Sequence, residues 1–138
     1  MTAILMAVLF AVFGCRSAPT DPIEEVKAMI PKIESALNRR LIGDLQRMGT
    51  GEFEANSFIM DMVGQRVDAQ ATLSLRRAQL TGNEIHMALD AKMVDNAGTW
   101  TQRLFLTMLQ DGRWKIAAYE IGTPDDELPP LDGGIDSL

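Results

Sequence analysis

The chain has 138 residues and a formal net charge of −6 at pH 7. Its last sixteen residues contain five acidic residues and no basic one. The remainder is nearly neutral and carries no basic run, which argues against nucleic-acid binding. One histidine and one cysteine cannot supply an ordinary zinc site, so we expect no metal. We also expect no cofactor. The length of the chain suits one domain.

The first fourteen residues form an apolar run that ends at Cys15, the sole cysteine of the chain. The run is shorter than the roughly 20 residues that a membrane-spanning helix needs, and its length is typical of a secretory signal. The segment 12–15, VFGC, resembles a bacterial lipoprotein signal, which is cleaved before a lipidated cysteine. That resemblance implies an exported protein, anchored in the cell envelope by lipid on Cys15, that faces the periplasm or the cell surface. A plain signal peptide cut elsewhere, or a buried helix, is the alternative.

A helix is predicted directly after a short tether. The sequence Asp21-Pro22-Ile23-Glu24 combines an N-cap residue, a first-turn proline and a glutamate three positions after the cap. An apolar stripe at spacings of three and four continues as far as Leu41. Pro31 interrupts this stripe, and proline inside a helix predicts a kink or a break.

Two shorter helices are predicted before the pattern changes. The first holds Leu45 and Met48, and the second extends from about residue 52 to Val63 and ends at Gly64.

From Asp68 onward the apolar period is two, which predicts strands. Asp111-Gly112 is a strong signal for a tight hairpin. Helices followed by an antiparallel meander indicate an α+β fold, with one helical layer on one sheet of four or more strands. The predicted strands cover residues 69–80, 84–94, 100–110 and 113–121.

Strict alternation along these strands predicts two different sheet faces. The inner face is almost entirely apolar and is expected to meet the helices. On the outer face Arg103 is expected between Asp90 and Glu120, as a ladder of opposite charges. The same face carries an apolar patch that we expect to mediate dimerisation. Its residues are Phe105, Leu109, Trp114 and Ile116.

The segment Trp100–Ile121, WTQRLFLTMLQDGRWKIAAYEI, resembles the closing hairpin of the nuclear transport factor 2-like superfamily, which includes ketosteroid isomerases and polyketide cyclases. The end of the leading helix, residues 36–40, is similar to the first helix of that family. The resemblance implies a cone-like fold in which a curved sheet wraps around the helices and encloses an apolar pocket. It also implies homodimers formed through the outer sheet face. The residues expected to line the pocket are Leu75, Met87, Leu89, Trp100, Gln102, Leu104 and Tyr119.

Four titratable residues are candidates for a catalytic role: Asp44, Asp61, His86 and Asp90. His86 and Asp90 share a strand face but are about 13 Å apart, too far for a hydrogen-bonded dyad. Solvated or ion-paired roles are the expected explanation for all four.

Four segments follow from these patterns: a signal peptide at 1–14, a lipidated tether at 15–22, the α+β domain at 23–122 and an acidic, disordered tail at 123–138. The expected function is that of a membrane-anchored exported lipoprotein, a non-enzymatic module that binds an apolar small molecule or a protein. The alternative is an isomerase, dehydratase or cyclase acting on a hydrophobic small molecule in the cone pocket. A purely structural lipoprotein is a third possibility.

Overall fold

The computed structural model describes residues 21–64 and 66–124; the signal segment, most of the tether and the tail from residue 125 lie outside this part of the chain. Three helices come first, α1 (Pro22–Asn38), α2 (Ile42–Arg47) and α3 (Ala55–Val63). Four strands follow, β1 (Gln70–Thr81), β2 (Glu84–Asp95), β3 (Gly98–Asp111) and β4 (Arg113–Gly122). The strands form one curved antiparallel sheet in the order β1-β2-β3-β4, which confirms the predicted α+β architecture.

The first helix begins as predicted but does not break. The Asp21 carboxylate accepts a hydrogen bond of 3.0 Å from the backbone N–H of Ile23 and caps α1. The helix then continues through Pro31 to Asn38 without interruption. Pro31 lies on the exposed side of the helix, where water can satisfy the carbonyl that loses its partner.

Side chains of α1 satisfy backbone groups on the free edge of β1. Asn38 donates a hydrogen bond of 2.9 Å to the carbonyl of Ala71 and accepts one of 2.6 Å from its N–H. The carboxylate of Glu34 accepts a hydrogen bond of 2.8 Å from the N–H of Leu73. Unpaired strand edges invite pairing with other chains, so these contacts both dock the helix and protect this edge.

The segment between α2 and α3 is held by Gln46. Its side-chain amide donates to the carbonyl of Phe53 and accepts a hydrogen bond of 3.0 Å from the N–H of Ala55. Because α3 lacks a side-chain cap at its own N-cap position, Gln46 satisfies one of its free backbone donors. Gly49 forms a single parallel bridge with Ile116 and covers part of the opposite sheet edge.

A β-bulge in each outer strand departs from strict alternation. The pairing of β1 with β2 shifts between Leu75 and Arg77, which leaves Arg76 as the extra residue. The pairing of β3 with β4 shifts after Thr107, which leaves Ala117 without an opposite residue. Each bulge moves the side chains beyond it to the other face. The central β2–β3 pairing keeps the predicted register throughout.

The β3–β4 turn is tighter than predicted, and this reverses the faces of the first half of β4. Asp111 pairs directly with Arg113, so Gly112 alone forms the turn, with a φ of +76°. A one-residue change of register exchanges the two faces of a strand. The bulge at Ala117 exchanges them again, so Tyr119 keeps its predicted place on the inner face.

The outer-face position predicted for half of the dimer patch is therefore wrong. Trp114 is only 6% exposed and Ile116 is fully buried, and both belong to the core on the inner side of the sheet. Phe105 and Leu109 remain half-buried on the outer face.

The core lies between the helices and the inner face of the sheet. α1 contributes the apolar stripe that the sequence predicted, and α3 contributes Phe58, Ile59 and Met62. The largest side chains that are fully buried are Phe58, Ile33, Leu37, Leu45, Met62, Ile85, Met87, Leu89, Met93, Leu104, Leu106 and Met108.

Candidate functional site

The inner sheet face is filled by protein side chains at the positions expected to line a pocket. Met87, Leu89 and Leu104 are buried in the core, and Leu75 packs against it. None of these four lines any of the three cavities described below. The apolar face therefore holds the helices and the sheet together.

Two further residues expected at the pocket contact helix α3 and the segment after it. The side-chain amide of Gln102 donates a hydrogen bond of 3.0 Å to the carbonyl of Met62. The guanidinium of Arg66 lies 4.1 Å from the ring centre of Trp100, which is a cation–π contact. The first interaction fastens α3 to the long strand β3, and the second fastens the segment after α3 to the same strand.

Tyr119 lies at the opening between α3 and β4, where it contacts Asp61. Its hydroxyl donates a hydrogen bond of 2.5 Å to the Asp61 carboxylate. The ring meets Phe58 edge-on at 5.0 Å and Phe53 at 6.2 Å between ring centres. Burial, followed by the hydrogen bond to Asp61 and that negative charge, raises the pKa of Tyr119 to about 12. The phenol consequently stays protonated and its hydrogen is already donated.

A cavity of about 290 Å³ opens beside this tyrosine. Its lining is acidic on the helix side, where Ser57 donates a hydrogen bond of 3.0 Å to Glu54. Of the three cavities described in this section, it is the one that an expected pocket residue, Tyr119, lines. Its lining residues are Glu52, Phe53, Glu54, Ser57, Ala117, Ala118 and Tyr119.

Asp90 lies on the outer sheet face and is an ion-pair partner. Its two carboxylate oxygens lie 2.7 Å from the Nε atom of Arg103 and 3.5 Å from the Nε atom of Arg76. Arg103 is only 8% exposed and also donates to the carbonyl of Pro124. The Asp90–Arg103 pairing is as predicted, but Glu120 lies opposite Phe105 instead, because the one-residue turn at Gly112 and the bulge at Ala117 each displace it by one residue.

His86 does not form a dyad with Asp90. It lies opposite Gln79 and Thr107 on the outer face, with its Nε2 atom 3.3 Å from a carboxylate oxygen of Glu84. The geometry of that approach is not that of a hydrogen bond. The carboxylate beside His86 therefore comes from Glu84, two residues away along the same strand, and not from Asp90.

Asp44, the remaining candidate, lies in the wall of a groove between α1, α2 and the β3–β4 turn. Its carboxylate is paired with Arg47 one turn later on α2. The groove has a volume of about 550 Å³. Its lining residues are Pro31, Lys32, Ser35, Ala36, Arg39, Leu41, Asp44, Arg47, Met48 and Arg113.

A second cavity of about 430 Å³ adjoins this groove and shares Lys32, Met48 and Arg113 with it. Trp114 forms part of its wall, and the indole N–H has no hydrogen-bond acceptor among the described residues. The full lining of the adjoining cavity is Glu25, Met29, Lys32, Met48, Gln110, Gly112, Arg113 and Trp114.

The groove contains the functional candidates that the sequence did not reveal. Four of its lining residues are basic, and they come from three separate segments of the chain: Lys32, Arg39, Arg47 and Arg113. The seven-residue spacing of Lys32 and Arg39 places them on one side of a helix, which is the one local signal of this site.

The described residues show neither a metal centre nor a membrane span. Within residues 21–64 and 66–124, no group of three or more His, Cys, Asp or Glu side chains is placed to hold a metal ion. Over the same ranges, no helix is both long and apolar enough to cross a membrane.

No family model matches the chain, and no curated relative matches it. Solved structures do. The protein named Rd1NTF2_05, with five named substitutions, is similar at a TM-score of 0.59 and 14% identity, over 74% of this chain and 100% of that one. The Bdellovibrio bacteriovorus protein Bd1075 matches at a TM-score of 0.60 and 11% identity, over 75% of this chain but only 41% of its own. An NTF-2 like protein of unknown function from Silicibacter pomeroyi matches at 0.54 and 21% identity, over 72% and 94% of the two chains.

These similarities confirm the expected fold. The described domain has the nuclear transport factor 2-like arrangement, in which three helices precede a curved four-stranded antiparallel sheet. At these identities the similarity concerns the fold alone, so the function has to be argued from the site.

Proposed function

We propose that this protein is an exported, membrane-tethered module that binds a small ligand in the groove between α1, α2 and the β3–β4 turn, without catalysing a reaction. The single observation that carries the proposal is the contrast, among the described residues, between an inner sheet face packed with core side chains and an open groove. The inner sheet face is filled by core side chains, whereas the groove offers about 550 Å³ of space. Ligand sites of small domains are commonly concave and of this size.

The surroundings of the candidate catalytic residues support a binding role. Asp90 is neutralised by two arginines, and Asp44 by Arg47. His86 lies on the outer sheet face, away from the helices. A general acid or base must face the reacting atoms within hydrogen-bond reach, and these three groups do not share a cavity.

The Tyr119–Asp61 pair favours one alternative, an enzyme of the isomerase, dehydratase or cyclase type acting on a hydrophobic molecule. Tyr119 is protonated and lines a cavity, which are two requirements for a general acid or an oxyanion donor. Its hydrogen is directed to Asp61, however, so a substrate would have to displace that carboxylate. Turnover that is lost in Tyr119→Phe, with the fold intact, would favour the enzyme.

The membrane address is proposed from the sequence. The apolar run ending at Cys15 is typical of a lipoprotein signal, and an exposed unpaired thiol is otherwise unexpected in an exported protein. Two or more acyl chains are needed for stable anchoring. Replacing Cys15 with serine should abolish the lipid mass and release the protein from membranes.

Pairing through the outer sheet face would rest on Phe105 and Leu109, the two patch residues that lie on that face. Phe105→Lys should convert a dimer into a monomer without unfolding it. An unchanged stoichiometry would exclude pairing through this patch.

Native mass spectrometry of the full chain, extracted from membranes, tests the proposal. It reports the lipid mass, the stoichiometry and any retained small molecule together. Ser35→Trp should fill the groove and remove the retained molecule, because Ser35 is an exposed lining residue. Ala28→Trp is the matched control, since Ala28 is exposed on the same helix and does not line the groove. A molecule that is retained equally by both variants would refute the groove as the site.

A further inference from the structure

We propose that the ligand of this groove carries a phosphate group, bound by Lys32 and Arg39 together with Arg47 and Arg113. This inference rests on the proposed function, because it concerns the same groove. It specifies the chemistry of the ligand, which the shape of the groove alone does not.

The first argument is the imbalance of charge around the groove. Four basic side chains line it, and Asp44 is its single acidic lining residue. Asp44 is already paired with Arg47. Lys32 and Arg39 make no ion pair or side-chain hydrogen bond with any described residue. Because like charges repel when they converge on one cavity, this arrangement favours an anionic ligand.

The second argument is that the structure holds one of these cations in place. The guanidinium of Arg113 donates a hydrogen bond of 2.7 Å to the carbonyl of Arg47, which ties the β3–β4 turn to α2. The neighbouring acid, Asp111, is engaged by Lys115 at 3.5 Å. Arg113 therefore retains its charge at the groove, and its other nitrogen atoms remain available to a ligand.

The third argument distinguishes phosphate from a carboxylate. A phosphate monoester carries about 1.5 to 2 negative charges at pH 7 and three acceptor oxygens, whereas a carboxylate carries one charge. Arginine matches phosphate through paired N–H donors, and lysine binds it as a point charge. Two unpaired cations beside Arg47 and Arg113 suit the larger charge. The adjoining cavity is lined by one further acid, Glu25, and by neither Arg39 nor Arg47.

The walls of the groove indicate that the phosphate is attached to a partly apolar molecule. Ala36, Leu41 and Met48 line the groove beside the cations. The adjoining cavity adds Met29 and Trp114. These two side chains offer apolar surface to the part of the ligand that extends from the phosphate.

Isothermal titration of the full chain with inorganic pyrophosphate, at constant ionic strength, tests the inference. The double variant Lys32→Gln/Arg39→Gln should bind pyrophosphate about tenfold or more weakly, because each substitution removes a charged donor. The matched control is Lys92→Gln/Arg77→Gln, which removes two positive charges from the outer sheet face. The control should bind within about twofold of the unaltered chain, as its charges lie on another face. Thermal unfolding of both variants confirms that each is folded.

Two results would overturn the inference: the absence of saturable pyrophosphate binding, or equal weakening in the two double variants. Failure of the proposed function gives a different pattern. If Ser35→Trp removes a retained molecule that Lys32→Gln/Arg39→Gln still holds, the groove is the site and the phosphate is wrong. If neither variant affects the retained molecule, the groove itself is wrong.

A final comparison identifies the source of the phosphate. Short-chain phosphatidylglycerol and phosphatidylcholine, both below their micelle concentrations, are titrated in place of pyrophosphate. Preference for phosphatidylglycerol over pyrophosphate, lost in Lys32→Gln/Arg39→Gln, supports an anionic lipid headgroup. Binding of pyrophosphate alone supports a soluble phosphorylated molecule. Equal binding of both lipids, unaffected by the double variant, contradicts the role of the cations.

Discussion

The placement of Trp114 is the strongest single test of the strand register. With strict alternation this residue lies on the outer face, where its replacement by alanine would be tolerated. In the structure it is 6% exposed and packs in the core. A tryptophan buries about 200 Å², which at about 25 cal/mol per Å² corresponds to about 5 kcal/mol as an upper value.

Two effects reduce that upper value for Trp114→Ala. The alanine still buries some apolar surface, and the buried indole N–H, which has no acceptor among the described residues, disappears with the ring. An unpaired buried donor costs about 1–3 kcal/mol. We therefore expect the free energy of unfolding to fall by about 3 kcal/mol, at the lower end of the range for aromatic-to-alanine changes in cores. Trp114→Phe removes the donor but keeps a ring, and should stay within about 1 kcal/mol of the unaltered chain.

Urea unfolding followed by far-ultraviolet circular dichroism measures these differences. Leu109→Ala is the control, because Leu109 is half-buried on the outer face. Its loss should be about 1 kcal/mol or less. If Trp114→Ala costs no more than Leu109→Ala, the assignment of Trp114 to the core is refuted.

Three further predictions concern single residues. Gly49→Ala should destabilise the fold by about 1–3 kcal/mol, since the new methyl would lie 2.2 Å from a buried phenylalanine ring, whereas Gly51→Ala meets open space and should be neutral in urea unfolding. Tyr119 is the only tyrosine, so an ultraviolet titration reports it alone; Asp61→Asn should lower its pKa from about 12 toward the ordinary value. The folded pKa of Tyr119 exceeds the unfolded value of about 10, so the stability from this pair is complete below pH about 10 and is lost as the pH rises to about 12. A free energy of unfolding that does not change over that pH range would contradict this prediction. Asn38→Ala removes two hydrogen bonds to the β1 backbone and should cost about 1–3 kcal/mol by the same urea assay, a value that a loss below about 0.5 kcal/mol would refute.

The fold was predictable from the sequence because its signals are local. Asp21 caps the first helix, and Gly64 ends the third with a φ of +60°, both as expected. The alternating pattern located four strands to within three residues at each end. The central strand pairing was also correct, because apolar alternation there is uninterrupted on both sides.

The first half of β4 was not predictable by the same reasoning. A prediction from strict alternation cannot include a bulge, because it assigns residues to the two faces of a strand by position alone. The single-residue turn at Gly112 and the bulge at Ala117 each shift the register by one. These shifts are favoured by packing: the turn brings Trp114 and Ile116 to the inner face, where the core needs apolar volume, and the bulge keeps Tyr119 on that same face.

The sequence by itself determined the apolar run at the start of the chain, the start of the first helix, the end of the third, the strand count and the nearly neutral charge of the domain. The tertiary structure alone decided where that charge is concentrated. Lys32 lies on α1 and Arg39 directly follows it, whereas Arg47 comes from α2 and Arg113 from the final hairpin, so no local pattern reveals their convergence. A charge balance counts residues along the chain, whereas an electrostatic site depends on distances in space, and those are set by the packing of α1 and α2 against the β3–β4 turn.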